Sequence, residues 1–450
     1  TLDDRSLTLH GSNGLAEYDY AADALVLRSE NASDLIVNPL VNQLGQSLGH
    51  LREGVVNAAR QTLSLNRKSA YGLSFLGITD AFYRALSDKK PIDPRFSAKS
   101  GVSVMDAMQQ VIDRLPAKGA ETHMHPAKTR DPKPDVMVIG GTGFIGAHLT
   151  RTLVAKGHDV RVLSRGTRGP FPDLLDQVET VGVDLKDEAA LVQAMQGIKI
   201  VYNLAKSMDT TWELCLQNDV GVAVTIAEAA LKAGVERLVY TGTIASYDMS
   251  SQGETIREST PFGDDMSDRN LYARSKAECE RRLMQMHTER ALPLTIARPG
   301  IVIGAGGPLQ HWGIGRWHGA GAVRLWSAGN NKLPFVLIED VSEGLVAMGT
   351  HPGAVGQSFN LVGDIQFTAR EYFDAIYAAL GARVKVKGGH PTVFWGFDAV
   401  KYVLKKHALR RRGVFRPSLM DWKSRAHDRP FDHTHSKQLL DWTRGTDRET

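Results

Sequence analysis

The sequence predicts an α/β protein: a doubly wound parallel sheet with a C-terminal substrate region, preceded by a small α+β domain. Three observations carry this. A buried-strand run at Asp135–Ile139 leads through a glycine loop into a helical stretch. Strand and helix patterns then alternate as far as Ala297, the signature of a parallel sheet with crossover helices. Between the two parts, Pro116–Pro134 holds four of the 18 prolines and almost no apolar residue, a composition that buries no core and reads as a linker. The expected organisation is an α+β module over 1–115, a linker over 116–134, a dinucleotide-binding domain over 135–300, and a substrate-binding region over 301–450 interleaved with it.

Composition narrows the functional classes. The apolar and charged fractions, 42% and 23%, are those of a globular chain, which excludes disordered, collagenous and coiled-coil architectures. Cys215 and Cys279 are the only cysteines, so neither a disulfide framework nor a cysteine-rich zinc module is available, as suits a reducing cytoplasm. A net charge of +4 over 450 residues gives no case for nucleic acid or membrane as partner. No apolar run approaches the roughly 18–20 residues of a spanning helix. Thr1–Arg5 lacks the basic and apolar regions of a signal peptide, and a chain opening on Thr1 reads as a processed or truncated piece of a longer one.

The first module starts as short strands. Ser6–Leu9, Leu15–Tyr20 and Ala24–Arg28 alternate, with Gly11 and Gly14 as turn residues. Leu40, Leu44, Leu48, Leu51 and Val55 then recur at steps of three and four, one apolar stripe of a helix. Phe75, Ile78, Phe82 and Leu86 mark a second helix. Val104, Met108, Val111 and Leu115 mark a third, opened by Gly101 and Ser103. The meander, the helix after Asn38-Pro39, Phe82–Leu86 running to Pro91, and the Val104–Val111 helix resemble the C-terminal domain of the Gfo/Idh/MocA oxidoreductases over residues 5–115. That family's nucleotide-binding domain and Glu-Lys-Pro motif are absent from the chain. The resemblance implies a packing or oligomerisation module, sugar-contacting at most, without a second active site. In the linker, His123 and His125 lack two further ligands and read as solvated.

The second part opens with Gly140-Gly141-Thr142-Gly143-Phe144-Ile145-Gly146 between a strand and a helix. Gly140 permits the tight turn, Gly143 lets backbone approach a pyrophosphate, and Gly146 allows close packing of helix on strand. The helix N-terminus then offers free N–H groups and the positive end of its dipole to the anion. This is a Rossmann-type loop. The next strand, Asp159–Leu163, ends in Ser164-Arg165-Gly166-Thr167-Arg168. Two arginines and no acid suit the 2′-phosphate of NADP; NAD is the alternative, with both arginines merely solvated. Further strands are expected at Val181–Leu185, Lys199–Leu204, Arg237–Tyr240 and Leu294–Ala297, with a helix over Val220–Ala233.

Tyr272 and Lys276 lie four apart in a helical stretch from Asn270 to about Met284, hence on one face. A tyrosine hydroxyl with a free pKa near 10 is a poor base at neutral pH, and a neighbouring ammonium stabilises its phenolate. Thr243, at the end of the fifth strand, presents a hydroxyl where the sheet's ligand crevice is expected. Together with Asn203-Leu204-Ala205, Asp184-Leu185, Asn218 with Gly221, Arg298-Pro299-Gly300, Phe335–Val341 and the tail Phe431–Trp442, these motifs resemble the extended short-chain dehydrogenase/reductases, the NAD-dependent epimerase/dehydratase branch, over residues 135–445.

The resemblance implies Tyr272 as acid/base, Lys276 as its charged partner and ribose contact, and Thr243 in place of the more usual serine. It also implies that Asp184 and Leu185 contact adenine, that Ala205 lines the cofactor channel, and that Asn218 is a structural or relay residue. Ile244-Ala245 stands where sugar 4,6-dehydratases carry Asp-Glu, which argues against dehydration.

In the substrate region, Trp312 in the loop Ile303–Gly321 is placed either to stack on a substrate ring or to pack, and His311 reads as a polar loop residue. Arg298 and Trp312 are the candidate substrate contacts. Lys401–Arg416 carries seven Lys/Arg and no acid: a diphosphate clamp, a nucleic-acid patch, or a solvated helix end. His427, His433 and His435 lack partners at metal spacing, so no metal is assigned. The expectation is an NADP-dependent epimerase or dehydrogenase acting on a sugar nucleotide, as a homo-oligomer with neither nucleic acid nor membrane as partner. The alternatives are a reductase or isomerase of a non-nucleotide alcohol, and a catalytically weak sensing or assembly module.

Overall fold

The structure is a computed structural model that describes residues 5–442 apart from 11–13, 21, 30–37, 65–69, 115–127, 165, 167–168, 251–253, 264–265, 319–321, 382–383, 412–413 and 415. Gly11, Leu115, His123, His125, Arg165, Thr167, Arg168 and Gly321 therefore lie outside the described residues. The chain divides into two compact units, Thr1–His123 and Met124–Thr450.

In the first unit, β1 (Ser6–His10), β2 (Gly14–Asp19) and β3 (Ala24–Ser29) form an antiparallel meander. The long helix α1 (Asn38–Ser64) packs along β3, where it buries Val26. Arg60 of α1 pairs with Asp23 in the β2–β3 turn at 2.5 Å. Two further helices follow, α2 (Ala70–Ser87) and α3 (Ala98–Arg114). The third starts before Gly101 because Ser97 Oγ accepts the Ser100 N–H at 3.2 Å and caps an earlier turn. The apolar stripe of α1 from Leu40 to Val55 is exposed.

In the second unit, strand and helix alternate: β4 (Val136–Ile139), α4 (Phe144–Ala155), β5 (Val160–Ser164), β6 (Val178–Gly182), α5 (Glu188–Ala194), β7 (Ile200–Asn203), α6 (Trp212–Cys215), α7 (Gly221–Ala233), β8 (Arg237–Thr241), α8 (Leu271–Arg290) and β9 (Leu294–Pro299). A π-helical turn, Leu216–Val220, joins α6 to α7. After β9 come β10 (Ile301–Ile303), β11 (Gly315–His318), β12 (Ala322–Leu325), β13 (Phe335–Leu337), α9 (Ile338–Thr350), β14 (Ser358–Leu361), α10 (Ala369–Leu380), β15 (Lys385–Lys387), α11 (Pro391–Val403), α12 (Leu419–Arg425) and α13 (Thr434–Leu440).

Seven strands form one parallel sheet in the order β14-β9-β8-β7-β4-β5-β6. Direction of winding reverses between β4 and β7, and a ligand crevice is expected outside the strand C-termini at that point. Helices α4 and α9 cover one face of the sheet around Val138, Leu149 and Leu345. Helices α5, α7 and α8 cover the other around Ile139, Ile226 and Leu283. The apolar run Trp212–Ala233 is long enough to cross a membrane by length and composition, but half of it is buried against this sheet.

Two departures from the sequence pattern have simple causes. The third strand of the sheet ends at Gly182, not Leu185, because its partner β5 ends at Ser164, which pairs with Gly182. The strand β14 is unforeseen: its four residues, Ser-Phe-Asn-Leu, carry a fully buried Asn360 that accepts the Tyr247 hydroxyl at 3.0 Å. The C-terminal region adds two small sheets, β10 with β13 and β11-β12-β15, over a core that includes Ile314, Phe335 and Phe373.

Candidate active site

The glycine loop sits at the C-terminal end of β4, at the reversal. Gly140 takes φ +81°, a left-handed conformation that favours glycine. A Cβ on Gly146 would stand 2.3 Å from the Gly140 carbonyl oxygen, so only hydrogen lets α4 approach the loop this closely. The N-cap of this 12-residue helix is Gly143, which supplies no side-chain acceptor, and the first-turn N–H groups stay available to an anion. Thr142 and Gly143 are exposed there, while Phe144 and Ile145 turn partly inward against the sheet.

Beside the loop lies a cavity of about 660 Å³ lined by residues of β6, β7, their following loops and the start of α7. It collects Asp184, Leu185, Ala205 and Asn218 from the sequence reading, and adds Lys186, Lys206 and Asp219. Asn218 accepts from Lys186 Nζ at 2.7 Å and donates to Asp209, a local clamp between two loops. The glycine cradle, the cavity and its mixed apolar and polar lining fit a dinucleotide.

Further along the crevice, β8 ends in Thr241-Gly242-Thr243. Thr243 is buried, and its Oγ accepts the Ala245 N–H at 3.2 Å. A hydroxyl carries one proton and two acceptor sites, so this proton remains for a substrate oxygen. Opposite stands α8. Tyr272, in its first turn, is 38% exposed, whereas Lys276, one turn on, is buried. The ammonium donates to Ala205 O (3.3 Å), Thr241 O (3.3 Å) and the Tyr240 hydroxyl (3.2 Å). Three acceptors for three donors hold a buried cation between the ends of β7 and β8. Burial drives the Tyr240 hydroxyl well above the usual tyrosine range, so Tyr240 serves as a neutral acceptor.

The start of α8 is fixed from far along the chain. Asn270 caps it by accepting the Ala273 N–H at 3.0 Å. Asp421 of α12 in turn accepts from the Asn270 backbone (3.0 Å) and side-chain (2.8 Å) N–H groups. Arg269 and Arg425 flank the same carboxylate at 3.3 and 2.9 Å. Burial alone would raise the Asp421 carboxyl, but Arg425, Arg269 and Asn270 together bring it below the usual range. Sequence spacing cannot reveal the role of Asp421, since Arg269 and Asn270 lie about 150 residues upstream. Ser275, next to Lys276, likewise donates to buried Asp219 at 2.7 Å, which ties α8 to the π turn before α7.

Arg298, expected at the substrate, is placed elsewhere. Its guanidinium is buried, pairs with Glu280 at 2.8 Å, donates to the Tyr247 hydroxyl at 2.5 Å and lies over the Phe262 ring. The arginine is therefore committed to the interior of β9 and α8. Its partner explains Gly242 as well: a Cβ there would meet Glu280 Oε1 at 2.1 Å. Burial raises the Glu280 carboxyl, with Arg298 opposing.

Trp312 is 66% exposed and stacked on Trp326 at 6.0 Å. Its loop returns over the start of α4, where Ala305 O meets His148 Nε2 at 2.9 Å. Burial, with Lys206 nearby, lowers the His311 imidazole below its ordinary range. Among the described residues, none between Lys401 and Arg416 lines this cavity.

Fold and site define a dinucleotide-dependent enzyme, with a glycine loop and cavity at the reversal of the sheet, Lys276 held between the ends of β7 and β8, and Thr243 buried where β8 ends. The NAD dependent epimerase/dehydratase family matches residues 136–361, and the chain belongs to it. It is similar to a 3-beta-hydroxysteroid dehydrogenase of Mycolicibacterium neoaurum, 26% identical over 55% of this chain and 71% of that one. It is also similar to a 2-alkyl-3-oxoalkanoate reductase of Stenotrophomonas maltophilia, 29% identical over 55% of this chain and 76% of that one. Among solved structures, dTDP-glucose 4,6-dehydratase DesIV of Streptomyces venezuelae, with NAD and TYD bound, shares the fold: TM-score 0.52, 21% identity, covering 70% of this chain and 93% of that one.

Proposed function

We propose that the chain catalyses reversible hydride transfer between a nicotinamide dinucleotide and a secondary alcohol or ketone, with Thr243, Tyr272 and Lys276 as the working residues. The carrying observation is the buried Lys276 ammonium held between the ends of β7 and β8, on the α8 face that bears the accessible Tyr272. Gly140–Gly146 would hold the pyrophosphate, and Asp184, Leu185 and Ala205 the adenosine half. When bound, the nicotinamide supplies the hydride acceptor or donor. Thr243 donates to the substrate oxygen and fixes its position. Tyr272 removes the alcohol proton in oxidation and returns it in reduction. Lys276 supplies positive charge beside that exchange and holds the strand ends in register. NADP is the favoured cofactor, on the basis of Arg165 and Arg168 in a strand-end segment without an acid.

For the substrate, a lipophilic non-nucleotide alcohol or ketone has more support than the sugar nucleotide of the sequence reading. The loops around the crevice carry exposed apolar side chains, Met208, Leu309 and Trp312. The two relatives named above are oxidoreductases of a hydroxysteroid and an alkyl oxoalkanoate. A sugar nucleotide is the second reading, favoured by the resemblance to the epimerase/dehydratase branch.

The test is substrate-dependent change in reduced-nicotinamide absorbance with NADP and then NAD. The panel holds hydroxysteroids, long-chain β-hydroxy acids and nucleotide sugars, and products are identified. Turnover of a lipophilic alcohol with NADP is expected. Turnover or epimerisation confined to nucleotide sugars would overturn the substrate assignment.

A further inference from the structure

Helix α11 (Pro391–Val403) continues through a π turn, Leu404–Ala408, and is held to the second unit by one side. There Phe394 is buried, stacked on Trp422 at 5.1 Å and edge-on to Trp326 at 5.2 Å. The flank turned to solvent is not polar, as that of a surface helix normally is. Val393, Phe397, Val400 and Leu404 follow one another at i, i+4, i+7 and i+11, which places them on one outward stripe. All four are exposed, Phe397 at 61%.

The same helix leads directly into the basic segment. Seven Lys/Arg fall between Lys401 and Arg416 without a single Asp or Glu. Lys401 has Asp398 at 3.4 Å. Among the described residues, no carboxylate lies within ion-pair distance of Lys405, Arg410, Arg411 or Arg416. An aliphatic and aromatic stripe bordered by uncompensated cations is the pattern of a helix lying in the plane of a bilayer surface, apolar side toward the acyl chains and cations among anionic headgroups. The helical segment is too short and too charged to span.

We propose that the outward face of α11 with the basic segment after it is a docking surface for an anionic lipid bilayer. Charge complementarity selects this occupant. A second copy packed face to face would oppose these cations to their own equivalents, which is unfavourable. A nucleic acid would use the cations and leave the apolar stripe without a role. The inference stands apart from the substrate assignment, since it concerns adsorption and not turnover. It departs from the expectation, drawn from the small net charge and the lack of a spanning apolar run, that no membrane is a partner.

The test is flotation of the full chain with vesicles of phosphatidylcholine alone and of an equal mixture with phosphatidylglycerol, at low and high salt. Recruitment to the anionic vesicles, falling as salt rises, is expected. Phe397→Glu with Leu404→Glu should weaken it by about tenfold or more, as lost apolar burial requires. Lys405→Ala with Arg410→Ala should weaken it by roughly 25-fold, about fivefold for each cation. Both variants lie on the surface and away from the cofactor crevice, so NADP binding and circular dichroism should match the parent chain and exclude misfolding. No recruitment to anionic vesicles at low salt overturns the proposal, as does recruitment indifferent to the Phe397/Leu404 substitutions. Tight binding of duplex DNA that the Phe397/Leu404 variant retains, with no vesicle recruitment, would assign the cations to nucleic acid instead.

Discussion

The two units use the same helical code to different ends. In α7 the apolar positions of the pattern are buried: Ile226 sits against the sheet with Ala223 and Ala230. In α1 an equally regular pattern leaves Leu48 and Leu51 each 64% exposed. Periodicity specifies that a helix has an apolar stripe; it does not specify what covers it. In the second unit coverage follows from topology, because each crossover returns its helix to a parallel sheet. In the first unit a three-stranded meander offers one small face, and α1 uses it at Val26.

The contrast can be tested by substitution, beginning with the largest effect on stability. Glu280→Gln leaves the Arg298 guanidinium buried without its counter-charge, and a loss of about 3–5 kcal/mol in a urea titration is expected. Ile226→Ala should cost about 2–5 kcal/mol through the cavity it opens. A pH series adds a third term. Burial pushes the His427 imidazole down to about 4, so the native state holds it neutral. Its contribution is complete above pH ~6.5, the unfolded value, and is lost as pH falls toward 4, about 3 kcal/mol in all. His427→Gln should flatten stability across that window. Asp421 and Asp248, both held below the usual carboxylate range, weaken the fold only at more acid pH.

Gly146→Ala forces the glycine loop away from α4, and NADP affinity should fall about tenfold or more in a fluorescence titration. At the small end, Leu51→Ser should change stability by no more than ~0.5 kcal/mol, as an exposed position does. A loss comparable to that of Ile226→Ala would mean that the α1 stripe is covered in solution, and the contrast between the units would fail.

How much the sequence discloses follows the same division. The glycine loop was legible because its constraints are steric and local: Gly140 needs its φ, and Gly146 needs its missing Cβ. Tyr272 and Lys276 were legible from a spacing of four, and Thr243 from its position at a strand end. Arg298 was misplaced because a motif reports which residue is present and not which way a strand turns it; Glu280 and Tyr247 decide that. Asp421 and β14 went unseen because each gains its role from residues 60 or more positions away, Asn270 for the one and the strand β9 for the other. The outward stripe of α11 was equally hidden, since one neighbouring residue, Phe394, carries the packing and the pattern does not say which flank is covered.

The central claim is that Tyr272 handles the proton while the glycine loop and its cavity hold the dinucleotide. Tyr272→Phe, which removes one hydroxyl and keeps the ring, tests it directly, with NADP binding and substrate turnover measured on the same preparation. Binding should be unchanged and turnover should fall by roughly 10²–10⁴-fold, the range for loss of a general acid/base. Turnover that survives the substitution would contradict the assignment and return the chemistry to another group at the crevice.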